Sequence, residues 1–187
     1  MSAMLSVARS LIGRPNVKSK EKTMPIEVTQ PSDREVRVVR TFKAPRQLVW
    51  DAHTKPELVM KWMLGPPGWS MPVCDMDVRP GGAYRWRWQS DEDGKQFGFH
   101  GAFSEVNAPT KLVHDEYYDP GDVGGDMPTN EPALVTLELS EAGGVTTLVC
   151  TMKFASKDSR DGAVATGMTN GMEMGYARLD ELFKAAA

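Results

Sequence analysis

His114 and Glu116 stand two apart in the run Lys111-Leu-Val-His-Asp-Glu-Tyr-Tyr118. Residues two apart on a β-strand point to the same face. An imidazole beside a carboxyl can pass a proton, and apolar surroundings would raise the carboxyl pKa into the range of a useful donor. The same two groups equally make an ordinary hydrogen-bonded pair at the edge of a core, and spacing leaves both readings open. Tyr118 follows on the same face. Its hydroxyl, like those of Tyr117 and Tyr176, can serve a ligand or sit in solvent above a packed ring. Other chemistry finds no support. His53, His100 and His114 lie far apart in no metal-ligand spacing, and no nucleophile elbow, phosphate loop or dinucleotide fingerprint occurs. The acidic run Ser90-Asp-Glu-Asp-Gly-Lys95 lacks the remaining spacing of a calcium loop. No metal or cofactor is expected. Cys74 and Cys150 show neither metal nor redox spacing, which suits a reduced, cytoplasmic compartment, and Cys150 reads as a small core residue.

The elements that would position His114 and Glu116 follow from turn chemistry. Tyr84, Trp86 and Trp88 alternate with Arg85 and Arg87, and the Ser90–Lys95 segment reads as a hairpin turn. With Gln89 opposite Gln96, Trp88 faces Phe97, Trp86 faces Phe99 and Tyr84 faces Gly101, all on one side with Phe103. A second turn at Asn107–Thr110 then sets His114 opposite Phe103 and Glu116 opposite Gly101, so His114, Glu116 and Tyr118 point to the aromatic side. His100 is left outside beside Arg85. A slip of one residue would reverse every assignment.

Around this hairpin pair the chain reads as one strand at Glu35–Phe42, two short helices opened by Ala44-Pro45 and Lys55-Pro56, and a strand over Met71–Val78. Further strands follow at Ala133–Leu139 and Val145–Phe154, with a 14-residue loop from Asp119 to Pro132 that suits a lid or mobile rim. Val135, Leu137 and Leu139 should share a face with Leu148, Cys150, Met152 and Phe154. The last segment, Gly162–Phe183, reads as one amphipathic helix. Met168, Met172, Gly175, Leu179, Leu182 and Phe183 form its apolar arc, with Glu173, Ala177 and Asp180 on the other. Gly167, Gly171 and Gly175 line one edge at four-residue spacing, each costing roughly 0.8–1 kcal/mol against Ala in a helix interior. Either the backbone packs closely there or a ligand cavity lies beneath, and on either account Gly171→Leu should do far more damage than a change at Ala177. The layout is α+β: a curved antiparallel sheet of about seven strands around a long C-terminal helix.

With 187 residues and a net charge of −3, one domain with a tail is expected and nucleic acid is not a partner. No apolar run is long enough to span a membrane. Residues 1–33 read as a disordered tail, with the domain covering 34–187. Its first 22 residues carry Arg9, Arg14, Lys18, Lys20 and Lys22 against Glu21, a basic character faintly like that of an organelle transit peptide.

Four motifs in order, Trp62-Met-Leu-Gly-Pro-Pro-Gly-Trp69, Asp77-Val-Arg-Pro-Gly-Gly82, Gly101-Ala-Phe-Ser-Glu105 and Thr166-Gly-Met with Gly171-Met-Glu and Gly175, carry a resemblance. The chain from Arg34 to Phe183 resembles bacterial proteins related to the C-terminal domain of the heat-shock-protein-90 ATPase activator, in the START-like, helix-grip (SRPBCC) superfamily. Met63-Leu64 departs from it, standing where a second Trp often accompanies Trp62. The resemblance implies a helix-grip fold with a deep, largely apolar cavity between sheet and long helix, and some superfamily members are enzymes such as cyclases. The eukaryotic relative binds a chaperone through a construction with a further N-terminal domain.

Trp62, Trp69, Trp86 and Trp88 can be core filling or pocket lining. With Tyr84, Phe99, Met168, Met172 and Tyr176 they make a lining that is mostly apolar with few polar groups. The expected activity is binding of a small hydrophobic molecule, a lipid, a polyketide-like compound or an aromatic. A cyclase- or hydrolase-type enzyme using His114 and Glu116, or a chaperone-associated stress-response protein, are the other readings, and a homodimer is left open.

Overall fold

A three-residue strand that the sequence does not announce begins the sheet. A computed structural model of the protein describes residues 25–124 and 130–186, with β1 (Glu27–Thr29), β2 (Glu35–Phe42), α1 (Arg46–Thr54), α2 (Pro56–Trp62), β3 (Trp69–Met76), β4 (Ala83–Ser90), β5 (Gln96–Asn107), β6 (Lys111–Asp119), β7 (Ala133–Ala142), β8 (Val145–Lys153), α3 (Lys157–Ala165) and α4 (Met168–Ala186). The strands form one antiparallel sheet in the order β1-β2-β8-β7-β6-β5-β4-β3. The α+β helix-grip layout is as expected, with eight strands rather than about seven. β1 lies inside the segment read as tail. It pairs Val28 with Val38 on the edge of β2, so ordered structure starts before Arg34. The basic residues of the tail, from Arg9 to Lys22, fall outside the described residues.

Register follows the turns. Gln89 pairs with Gln96, Trp88 with Phe97, Trp86 with Phe99 and Tyr84 with Gly101. Phe103 pairs with His114 and Phe99 with Tyr118, before a shift between Phe103 and Glu105. On β7 and β8, Val135 meets Met152, Leu137 meets Cys150 and Leu139 meets Leu148, all buried. The inner face of the sheet packs against α4 through Phe42, whose ring meets those of Tyr176 and Phe183 edge-on at 5.6 Å each. Burying each such large side chain contributes about 1.5–3 kcal/mol.

The closing segment is two helices, not one. Gly167 has φ +79°, a left-handed conformation that L side chains rarely adopt, and the chain turns there between α3 and α4. Ser156 caps α3 by accepting from the Ser159 amide at 3.0 Å. The three glycines therefore do three different things. A Cβ at Gly175 would lie 3.2 Å from the Trp62 ring, whereas one at Gly171 would meet nothing within 4 Å. The expectation that Gly171 is gripped is overturned; Gly175 is the close approach. Gly171→Ala should raise stability by roughly 0.5–1 kcal/mol through helix propensity, while Gly175→Ala should lower it, in urea unfolding of the two variants. Equal effects would mean that the helix is seated differently.

Candidate functional site

The inner face of β4, β5 and β6 gathers most of the residues singled out by sequence. Tyr84 and His114 are buried, with ring centroids 5.1 Å apart, and Trp86 meets His114 at 5.9 Å, both near-perpendicular contacts. The Phe103 ring also meets the imidazole, at 5.8 Å. Glu116 lies on the same face as His114, with Oε2 3.8 Å from Nε2, beyond direct hydrogen-bond range. Its charge is felt inward: after burial itself, Glu116 is the next cause raising the Tyr84 hydroxyl, and it also helps push the buried Cys150 thiol up to about 12. Met168 and Met172, half-buried on α4, pack against the main core to which Tyr84 and Phe103 belong.

Polar atoms here are unevenly served. The Tyr84 hydroxyl donates to the Asp115 carbonyl at 3.0 Å. Trp62 Nε1 donates to the Ala52 carbonyl at 2.9 Å and Trp88 Nε1 to the Met63 carbonyl at 2.7 Å. Trp86 Nε1 and both ring nitrogens of His114 are buried with no hydrogen-bond partner among the described residues. Native proteins leave few such groups.

Beside this cluster Phe99, Glu116, Tyr118, Ala133 and Phe154 border a cleft with about 30 Å³ of free room. The Tyr118 hydroxyl donates to the Gly124 carbonyl at 2.9 Å, which ties the start of the long loop to the cleft. Burial, helped by Asp119, raises that hydroxyl above its ordinary pKa. A wider open hollow of about 350 Å³ around the turn between β5 and β6 touches none of the candidate residues.

Not every candidate joins the cluster. Trp62 and Tyr176 stack on each other at 5.7 Å inside the main core. Trp69 and Trp88 both pack on Phe97, at 5.2 and 5.4 Å, in a second cluster with Val59, Met71 and Cys74. Trp62, Trp88 and Tyr176 are buried there and Trp69 is half-buried. Of the candidate residues, Phe99, Glu116 and Tyr118 border the small cleft.

The sequence matches the family model described as "Activator of Hsp90 ATPase homolog 1-like protein" over residues 43–184. The chain belongs to that family. No protein with a curated description matches it. A crystallised protein from Rhodobacter sphaeroides is 28% identical, with 87% of this chain and 99% of that one covered and a TM-score of 0.76. A protein from Staphylococcus epidermidis, solved by NMR, is 26% identical over 88% and 96% of the two chains, with a TM-score of 0.68. A third, from Nitrosomonas europaea, is 25% identical over 84% and 98%, with a TM-score of 0.70.

Within this Hsp90-activator-like fold, two groups escaped sequence reasoning. Arg40 projects into the core between Val38 and Phe42, its side chain fully buried. It meets Asp180 at 2.5 Å and Glu173 at 3.5 Å, the residues assigned to the solvent side of the last helix. Glu173 also accepts from the Ile26 amide at 2.6 Å, which fastens the start of β1 to α4. The signal was present, because Arg40 keeps the alternation of Val36, Val38 and Phe42. His53 is the second. Its ring lies 4.9 Å from Trp62, with Nδ1 2.7 Å from the Val49 carbonyl. Among the described residues no three potential metal ligands come together, and no helix is long and apolar enough to cross a membrane.

Proposed function

We propose that the protein binds a small hydrophobic molecule between the inner sheet face and the first turns of α4. The observation that carries this reading is the convergence of Tyr84, Trp86, Phe99, His114 and Glu116 on one sheet face, where Phe99 and Glu116 border a cleft, with Met168 and Met172 packed on the main core from α4. Sites for drug-sized ligands hold about 300–1,000 Å³, so a ligand has to displace side chains. Met168 and Met172 are unbranched and adaptable, and they are the groups that yield with least strain. Two free, buried cysteines support a reduced, cytoplasmic setting.

Thermal unfolding and Trp fluorescence against a panel of lipids and aromatics test the reading. At a hundredfold excess over Kd a ligand adds about 2.7 kcal/mol, which in a domain of this size raises Tm by roughly 5–10 °C. Quenching of Trp emission should accompany the shift. A panel that moves neither signal would sink the proposal.

A second reading, an enzyme that moves a proton with His114 and Glu116, draws on their shared inward face and 3.8 Å separation. Native mass spectrometry of a co-purified ligand, before and after incubation with protein carrying His114→Phe, separates binding from turnover. It also reports whether two copies associate. A chaperone partner and a stress-response role rest on the family description alone. A stoichiometric complex in a pull-down with the host chaperone is the result that would bring them forward.

A further inference from the structure

The orphaned polar atoms say what kind of hydrophobic molecule the site takes. Trp86 Nε1 is an obligate donor, and a neutral imidazole offers one donor and one acceptor. All three buried nitrogens lack a protein partner among the described residues. Trp62 and Trp88 have indole N–H groups that each find a carbonyl, whereas that of Trp86 finds none among the described residues. His114 is only 5% exposed. Glu116 adds an acceptor set 3.8 Å from His114, too far for direct bonding and close enough for one shared group. Tyr84 contributes nothing further as a donor, because its hydroxyl proton goes to Asp115. Glu116 also borders the neighbouring cleft of about 30 Å³, room enough for a water-sized group such as a hydroxyl.

A group that fits must accept from the Trp86 or His114 N–H and donate to Glu116. A carboxylate only accepts and would bring a second negative charge beside Glu116. An ammonium only donates and leaves Trp86 unpaired. A hydrocarbon leaves every one of these atoms unpaired. A hydroxyl does both jobs within the available volume.

We propose, on the footing of the binding reading above, that the ligand is an apolar molecule bearing a neutral hydroxyl, phenolic or alcoholic. The hydroxyl sits between Trp86, His114 and Glu116, and the apolar body runs along Phe99, Ala133 and Phe154. Its three polar neighbours select hydroxylated compounds over their hydrocarbon and acid counterparts.

The test is isothermal titration of 2-naphthol, naphthalene and 2-naphthoate into the full chain and into its Trp86→Phe and His114→Phe variants. Both substitutions keep a ring in place, and circular dichroism with thermal unfolding checks that each variant folds. In the unaltered protein 2-naphthol should bind at least tenfold more tightly than either companion. In the variants that advantage, read as the ratio of 2-naphthol to naphthalene affinity within each variant, should fall to about twofold. If naphthalene equals 2-naphthol, the hydroxyl is not read; this proposal fails and hydrophobic binding stands. If 2-naphthoate binds tightest, the site takes acids and the proposal also fails. An advantage that survives in both variants places the hydroxyl elsewhere and overturns it. No binding by any of the three overturns it too, and the wider ligand panel then decides whether the hydrophobic reading falls with it.

Discussion

Replacing Asp180 by alanine should cost the protein about 3–5 kcal/mol, the range for removing one partner of a buried ion pair. Arg40 has a fully buried side chain, and Asp180 is its nearest carboxylate at 2.5 Å, with only 12% of its own side chain exposed. Glu173 stands further off, at 3.5 Å, and is already engaged by the Ile26 amide. Without Asp180 the guanidinium would be left in the core beside Phe42, whose ring centre lies 5.7 Å away. The pair is held against desolvation. Burial raises the Asp180 carboxyl above its ordinary value, and Arg40 pulls it only part of the way back. Breaking the pair and deleting it are therefore different experiments. Arg40→Met with Asp180→Leu should recover most of the loss and can exceed the starting stability, because two desolvated charges are exchanged for apolar packing. Urea unfolding of the two single variants and the double variant closes the cycle. If Asp180→Ala costs less than about 1 kcal/mol, Arg40 reaches solvent and the core is not as described.

Acidification gives the second large effect. Burial lowers the His53 pKa from 6.5 to about 4, with the bond to the Val49 carbonyl opposing the shift. In the unfolded chain the imidazole takes up a proton near pH 6.5, while in the folded protein it stays neutral until about pH 4. The unfolded state thus binds more protons through that window. Stability from this group is fully present above pH 6.5 and drains away as the pH falls towards 4. At 1.36 kcal/mol per pKa unit the loss by pH 4 is about 3 kcal/mol. Denaturant unfolding of the protein and its His53→Leu variant between pH 7 and pH 4 isolates the contribution, since the carboxylates titrate in both. Over that range the unaltered protein should lose about 3 kcal/mol more than the variant. Parallel curves would mean that His53 is protonated in the folded state and is not sealed against Trp62.

Arg40 and His53 mark where the sequence could be read and where it could not. The inward placing of Arg40 follows from the two-residue alternation of β2, yet nothing local says what a buried guanidinium would meet. Its partners lie 133 and 140 positions away on α4. They look like solvent-facing acids on a helical projection, because such a projection ranks polarity and is blind to what stands opposite. Gly171 misled for a related reason. Equal spacing suggested one role for three glycines, but the left-handed turn at Gly167 starts a new helix, and only Gly175 meets the Trp62 ring. β1 has three residues and no pattern; it exists because the edge of β2 offers backbone partners.

By itself the sequence determined the hairpin registers and, with them, the face on which Tyr84, Trp86, His114 and Glu116 lie. Turn residues and two-residue alternation are local, and one residue of slip would have buried Arg85 and Arg87 instead. Four motifs in order also determined the family. Tertiary structure alone decided that Trp62, Trp88 and Tyr176 are buried in packed clusters while Trp86 and His114 keep nitrogens without a protein partner among the described residues. Whether a ring fills space or lines it depends on how distant elements bring their side chains together in three dimensions, and whether a donor finds an acceptor depends on carbonyls such as those of Ala52 and Met63 arriving from other elements.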